Sequence, residues 1–408
     1  MQCGGVIKSV FDLGALALSG IFPNQEALSS IKVDNLNLGI CNQCDLVQLT
    51  DYVEPNSYFT KNYGYESSLN LSMKLHLQKK MENLVNVYCD TQHLPQRKPI
   101  IVDIASNDGT MLSVLDSKFY LKVGIDPLIE NFREKYSKDT VQINHFFSKE
   151  IFFNYVKYRA SVVTSCAVLY DLNNPRKFVE DVYEILDENG IWHFEQSYLY
   201  SMMESISYDT ICHEHFLYLS LKDIYTLLSE NNFWIEDVEL NGINGGSIAV
   251  TARKNSYAQQ SLESLPAKAR EILATEASKN VINELNSFKE KSILHSRELK
   301  KLLTNLRISG KKIFGIGAST KGNVLLQFSG LDNNFISAIG EINKTKIGKF
   351  TPGTGIPIVD ESSILVDPQN SVLLVLPWHF RKTFLELTKD FRNRGGKLIF
   401  PLPRIEIF

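Results

Sequence analysis

No stretch of this 408-residue chain approaches the ~20 consecutive apolar residues that a membrane-spanning helix requires. Neither sign of charge is in excess: 43 Lys and Arg stand against 46 Asp and Glu, a net charge of −3. That balance gives no reason to expect nucleic acid or an anionic membrane surface as partner. Six cysteines are too few for a disulfide framework at this length. The first apolar stretch, VFDLGALALSGIF after Lys8, carries Asp12 inside it, which argues against a secretion signal. These features predict a protein of the reducing cytoplasm.

With 44% hydrophobic and 22% charged residues, the composition is that of a globular chain with room for two or three domains. The stretch that organises it is Tyr208–His215, read YDTICHEH. It places two histidines either side of a glutamate, with a thiol and a tyrosine upstream. It lies between two glycine-bearing segments of nucleotide-binding type, IVDIASNDGT (101–110) and IFGIGASTKGN (313–323).

Near the start, Cys41 and Cys44 form CNQC, and Cys3 lies far upstream. A CxxC knuckle lets two thiolates reach one metal, and tetrahedral zinc needs two further ligands. Cys3 is the obvious third. A second CxxC around Cys3 needs a cysteine one position before Met1, so a longer start, an incomplete site and a decayed site stay open, beside a plain turn with ordinary thiols. The stretch YFTKNYGYESSLN (58–70) is rich in tyrosine, and Tyr63 and Tyr65 are read either as packing or as the lining of a polar pocket. Ser67 or Ser68 is expected to cap a helix over about 68–88, with Leu71, Met73, Leu75, Leu77 and Met81 as its apolar positions.

Alternating α/β signals follow. PIIVDIA (99–105) reads as a buried strand, SNDG as a turn and MLSVLDSKF as a helix. LKVGIDP (121–127) reads as a second strand ending in Asp126, placed to accept ribose hydroxyls. Ala105 and Ser106 stand where a dinucleotide fold places glycines, and Asp103 lies in the first strand. That combination suits S-adenosylmethionine, which has no pyrophosphate to cradle. SVVTSCAVLYDL (161–172) reads as a strand and loop, RKFVEDVYEILDENG (176–190) as a helix stopped by Gly190, and IWHFEQSYL (191–199) as a strand with Glu195 near its ligand-facing end. A helix is expected from about 220 to 231. The segment 233–254 predicts a hairpin with Asn244, Gly245, Gly246 and Ser247 at its turn. Residues 256–310 predict one or two linking helices. The last segment repeats the theme: KKIFGIGASTKGN gives strand, turn and helix, with Gly315, Gly317, Lys321 and Asn323 as a phosphate-suited cradle. Glu341 closes the next strand, and SVLLVLPWHF and GKLIFPLPRI supply two more.

Taken in order, CNQCDLVQL, YGYESSLN, DIASNDGT, GIDP, FEQSYL, YDTICHEH, NGGS, GIGASTKGN and PGTGIPI make the chain resemble the three-domain, S-adenosylmethionine-dependent C-methyltransferases of nucleotide-linked deoxysugars. The resemblance runs nearly end to end. It implies an α/β protein with a small zinc-binding domain (1–66), a central class I, Rossmann-like methyltransferase domain (67–255), and helices leading to a second Rossmann-like domain for the nucleotide sugar (256–408). The ICHEH form also resembles a branch met among bacterial surface-polysaccharide sugar enzymes. The cofactor candidates are Asp103, Ala105, Ser106, Asn107, Asp108, Gly109, Asp126, Pro127, Ala167 and Val168. The substrate candidates are Tyr63, Glu195, Asn244, Gly245, Gly246, Ser247, Gly315, Gly317, Lys321 and Asn323. Zinc is expected on Cys3, Cys41 and Cys44. This chain departs from the family in showing three cysteines of a usual four, Ala105 at a usual glycine, and Cys212 at a usual tyrosine.

Methylation at carbon needs a carbanion equivalent, which a neighbouring ketone makes accessible to a base. Histidine suits that role. The resemblance implies His215 as base, with His213 or Tyr65 donating to the ketone oxygen and Cys212 and Glu214 completing the catalytic set. On an extended segment His213 and His215 share a face and Glu214 points away. The alternatives are an NAD-linked sugar oxidoreductase, O- or N-methylation of the same substrate class, a structural histidine, a His–x–His metal pair, and a non-catalytic scaffold.

Overall fold

The structure is a computed structural model that describes residues 3–59, 63–89, 97–255 and 260–408. Residues 60–62 of the tyrosine-rich stretch lie outside the described residues. The strands that build its sheets are β1 (Ile7–Ala17), β2 (Val33–Cys41), β3 (Val47–Leu49), β4 (Ile100–Ile104), β5 (Leu121–Ile125), β6 (Thr140–Ile143), β7 (Ala160–Cys166), β8 (Leu186–Ser197), β9 (Phe233–Asn241), β10 (Ser247–Lys254), β11 (Lys312–Ile316), β12 (Ile339–Glu341), β13 (Ile358–Asp360), β14 (Ser371–Val375), β15 (Lys397–Phe400) and β16 (Glu406–Ile407). The longer helices are α1 (Leu71–Tyr88), α2 (Pro175–Ile185), α3 (Leu221–Ser229), α4 (Ala267–Ala277), α5 (Val281–Ile308) and α6 (Thr320–Phe328). The chain forms two units. One is built from Glu66–Tyr198 and Leu217–Lys279, the other from Gly4–Tyr65, Leu199–Phe216 and Asn280–Phe408. YDTICHEH therefore belongs to the second unit, although first-unit strands flank it in sequence.

The first unit holds a seven-stranded sheet in the order β9-β10-β8-β7-β4-β5-β6. β4 pairs in parallel with both β5 and β7, and β10 runs antiparallel to β8 and β9. β4 is IIVDI with all five residues buried, as a central parallel strand covered on both faces requires. Strand order reverses between β4 and β7, so a ligand crevice is expected outside their carboxyl ends.

In the second unit an antiparallel sheet, β1-β2-β3, accompanies a mainly parallel one, β13-β12-β11-β14-β15-β16. Phe11 of β1 meets Phe288 of α5 and Phe328 edge-on, at centroid distances of 5.8 and 5.7 Å. Gln327 of α6 accepts from the Ala17 amide and donates to the Ala17 carbonyl, at 2.8 and 3.1 Å. The amino-terminal sheet thus shares a core with the carboxy-terminal one.

Local expectations fare unevenly. Helix α1 begins at Leu71 with Asn70 as its cap, accepting from the Met73 amide, so neither Ser67 nor Ser68 caps it. Its buried face is Met73, Leu77, Met81, Leu84 and Val85, whereas Leu71 and Leu75 are exposed. The helix expected over MLSVLDSKF is only a single turn, Leu112–Val114. Ser113 and Asp116 bond local backbone there, which competes with helix propagation. Gly190 does not end α2; that helix stops at Ile185, and β8 starts at once and runs through Gly190. An irregularity in the β7–β8 ladder absorbs the extra residues. The hairpin, two helices α4 and α5, and the β11–turn–α6 unit form as expected.

Candidate functional site

In the first unit the turn after β4 is held in shape by side chains rather than by glycines. Ala105, Asn107 and Gly109 take positive φ angles of 56°, 49° and 75°. The Asn107 amide donates to Asp126 Oδ2 (3.0 Å), and the Leu128 amide donates to Asp126 Oδ1 (2.7 Å). Each carboxylate oxygen keeps further acceptor capacity. Tyr136 donates its hydroxyl to the Asn107 carbonyl (2.7 Å) and accepts from Ser106 Oγ (2.8 Å). Asn107 and Asp108 accept from the amides of Ser67 and Ser68, at 3.0 and 2.9 Å, which is the work those serines do in place of capping α1. Asp103 accepts from Thr164 Oγ1 on β7 (2.7 Å), and burial, with the charges of Asp126 and Asp108, pushes its carboxyl up to about 7. Burial likewise raises Asp126. Three carboxylates around one turn repel a pyrophosphate and favour a ligand carrying positive charge, as a sulfonium does. This donor set fits S-adenosylmethionine.

Ala167, directly after β7, also has positive φ (59°), and its amide donates to the Glu195 carbonyl (2.7 Å); Val168 follows it, buried. Pro127 lies between Asp126 and Leu128. The Glu195 side chain meets His76 Nε2 at 2.7 Å and accepts from Asn241 Nδ2 at 3.0 Å, with Lys80 at 3.7 Å. Burial acts to raise the Glu195 carboxyl, but His76 and Lys80 outweigh it and leave it below its usual range. Asn244, Gly245 and Gly246 form the hairpin tip, all at positive φ, and Ser247 donates to the Ile243 carbonyl (2.9 Å).

In the second unit YDTICHEH is not extended. Tyr208–Thr210 make a helical turn, and the His215 amide closes a further turn on the Cys212 carbonyl (3.1 Å). His213 and His215 therefore do not share a face. His213 Nε2 donates to the Asp34 carbonyl (3.1 Å), whereas His215 Nδ1 donates to the Thr210 carbonyl (2.8 Å). A carbonyl only accepts, so Nδ1 of His215 carries the proton and Nε2 presents a lone pair. Burial and then the Lys321 charge hold this imidazole down at about 3, neutral near pH 7. Glu214 is buried and accepts from Tyr63 Oη at 3.3 Å, and burial pushes its carboxyl up to about 7. Cys212 is fully buried, and Tyr65 is 44% exposed.

The turn after β11 is built around Gly317 and Glu341. Gly317 has φ of 80°, and a Cβ there would lie 2.6 Å from the Pro377 ring, so only glycine fits. Glu341 accepts from the Ala318 amide through one oxygen (2.8 Å) and from the Ile342 and Asn343 amides through the other (2.8 and 2.9 Å). Gly315 lies in β11 itself. Asn323 is fully buried and donates to the Ser19 carbonyl (2.7 Å). Lys321 Nζ donates to Thr210 Oγ1 (3.0 Å), which brings this turn to YDTICHEH.

Two residues outside the motifs named above, Trp378 and His379, join this group. Trp378 donates from Nε1 to Asp209 Oδ2 (2.7 Å), and the His379 imidazole lies in the field of Lys321. Their signal was available: PWHF follows β14 at the carboxyl end of a parallel strand, where such sheets hold ligands.

At the amino-terminal end the Sγ atoms of Cys3, Cys41 and Cys44 all lie within 4.8 Å of one another. Cys41 ends β2 in a tight turn, where Asp45 (φ 64°) donates its amide to the Cys41 carbonyl (3.1 Å) and the Gln43 amide points at Cys41 Sγ (3.5 Å). An N–H aimed at sulfur favours thiolate, so the donor set fits zinc with three protein ligands in hand.

Three family models match successive parts of the chain: a putative zinc binding domain (residues 2–59), a methyltransferase domain (73–238) and a C-methyltransferase C-terminal domain (242–403). The sulfonium-suited turn, the thiol cluster and these matches define a methyltransferase. The chain belongs to the S-adenosylmethionine-dependent C-methyltransferases that carry an amino-terminal zinc-binding domain. It is similar to the C-methyltransferase NovU of Streptomyces niveus, at 27% identity over 400 residues, covering 97% of this chain and 92% of that protein. Among solved structures it is similar to magnesium protoporphyrin IX methyltransferase of Synechocystis PCC 6803 with bound S-adenosylmethionine (13% identity, 47% of this chain, 87% of that chain, TM-score 0.34). Another is a putative methyltransferase of Bacillus halodurans (13% identity, 44% and 100%, TM-score 0.32). No helix among the described residues is long and apolar enough to cross a membrane.

Proposed function

We propose that the chain methylates a carbon next to the ketone of a nucleotide-linked keto-deoxysugar, of the kind used for surface polysaccharides. The observation that carries this reading is the His215 tautomer: Nδ1–H is committed to the Thr210 carbonyl, so Nε2 is a neutral base ready to take a proton from carbon. O- or N-methylation needs no such base for a C–H bond. Bound S-adenosylmethionine supplies an electrophilic methyl group. The residues of the turn after β4 would hold it, with Asp126 accepting from its ribose hydroxyls. Histidine takes the proton, and the electron pair moves through the carbon toward the ketone oxygen. The similarity to NovU supports the carbon-directed chemistry. The three-carboxylate turn disfavours the NAD-linked alternative.

The test is a panel of thymidine, uridine, guanosine and cytidine diphosphate 4-keto-6-deoxyhexoses, incubated with S-adenosylmethionine and read by mass spectrometry and NMR. A new C–CH₃ group on one panel member supports the reading. A methyl group found only on oxygen or nitrogen, or turnover with NADH instead, overturns it.

A further inference from the structure

Lys321 was read above as part of a phosphate cradle, and its surroundings point elsewhere. Its Nζ is bonded to the hydroxyl of Thr210, the same residue whose carbonyl fixes the His215 ring. Asp209, next in the chain, is completely buried; one carboxylate oxygen accepts from Trp378 Nε1, and Oδ1 has no partner among the described residues. His379 Nδ1 is likewise buried without a partner among the described residues. Three segments thus converge on one ammonium: 209–215, the start of α6, and the Trp378–Phe380 turn.

A diphosphate is a poor occupant for such a position. Its charges would sit near the buried Asp209 carboxyl, whose own ionisation burial already disfavours and whose field acts on the lysine. An oxyanion that exists only during reaction is a better match, since a preorganised donor then stabilises the transition state more than the bound substrate. We propose that Lys321 donates a hydrogen bond to the acceptor's ketone oxygen as His215 Nε2 removes the neighbouring proton, and that Asp209 and Trp378 position it. This rests on the ketone-activating reading above. In the step, the C–H bond breaks and its proton goes to Nε2. The released pair forms a carbon–carbon double bond, and the carbonyl π pair moves onto oxygen, facing the Lys321 ammonium. No electron acceptor is required.

Burial lowers the Lys321 pKa, with Asp209 and Cys212 opposing, and a lowered pKa strengthens the lysine as a donor. The same cation acts on His215 and His379, each of which burial lowers first.

The experiment measures exchange of the substrate's α-proton with deuterated water, using the panel above with S-adenosylhomocysteine in place of the methyl donor. Lys321→Met should slow exchange by about 10²–10³, the loss seen when one oxyanion donor is removed. Affinity for the free nucleoside diphosphate should stay near wild type, and the acid limb of the pH–rate profile should move to higher pH as the field on His215 is lost. Asp209→Asn should slow exchange with the same unchanged nucleotide affinity, and this variant stands in if Lys321→Met does not fold. Wild-type exchange in both variants, or loss of nucleoside diphosphate binding in Lys321→Met, overturns the proposal. His215→Asn separates the two levels: undiminished exchange there removes the base reading itself, as does a panel in which the wild type exchanges no member. Loss in His215→Asn with wild-type rates in the other two variants removes only the role given to Lys321.

Discussion

His215 Nδ1 lies 2.8 Å from the carbonyl oxygen of Thr210, five residues earlier in the chain. This contact puts the proton on Nδ1 and a lone pair on Nε2, which is what the proposed base requires. His215→Asn keeps a side-chain donor for Thr210 and deletes the base. It should lower kcat by about 10²–10⁴ while S-adenosylhomocysteine binding is unchanged. Steady-state kinetics with calorimetry checks this, and wild-type kcat would remove His215 from the reaction.

Glu214 gives a pH-dependent stability prediction. Burial raises its folded-state pKa to about 7, from 4.5. The folded state therefore holds this proton up to a higher pH than the unfolded state, and the group costs stability as pH rises from about 4.5 to 7. Glu214→Gln mimics the protonated form. It should stabilise the protein at pH 8 by on the order of 3 kcal/mol and change little at pH 4. Melting curves at the two pH values test it; an equal effect at both would show that Glu214 does not titrate as stated.

The histidines act in the opposite direction. Burial lowers His193 to about 4 and His215 to about 3, both from 6.5. Unfolded histidines take up protons first as pH falls, so stability from these two is full above about 6.5 and declines below it. His193→Gln should flatten the acid side of the stability profile. An unchanged slope between pH 6.5 and 4 would count against a neutral buried His193.

Asp126 is bound by two backbone amides and retains acceptor capacity on both oxygens. Asp126→Ala should weaken S-adenosylhomocysteine by tenfold or more, since a hydrogen bond to a charged group is worth ~1.5–3 kcal/mol. Calorimetry decides, and an unchanged Kd would move the ribose contact to another residue.

The thiol cluster predicts bound zinc. Protein purified without chelator should carry about one zinc per chain by elemental analysis, as one structural site implies. Cys41→Ser or Cys44→Ser should lose most of it. Metal-free wild-type protein, with all three thiols freely titrating, would end the idea.

The sequence by itself determined the central strands of both α/β sheets and the glycine turn after β11. Runs such as IIVDI and SVLLV bury on both faces, and residues such as Gly317 permit one backbone shape, so local pattern and local sterics suffice. CNQC and YDTICHEH were equally visible, because chemistry was written in adjacent residues. What only the tertiary structure decided is where those side chains point and what they meet. HEH read as an extended segment gives two histidines on one face; the turn closed by His215 and Cys212 sends one to Asp34 and the other to Thr210. Ser67 and Ser68 looked like helix caps and instead serve Asn107 and Asp108, 40 residues away. Asp209 and Trp378 are 169 positions apart, and no local period links them. Hydrogen bonds between distant segments depend on how the sheets are ordered, and burial, which shifts the pKa of Glu214, His215 and Lys321, exists only once those segments have come together.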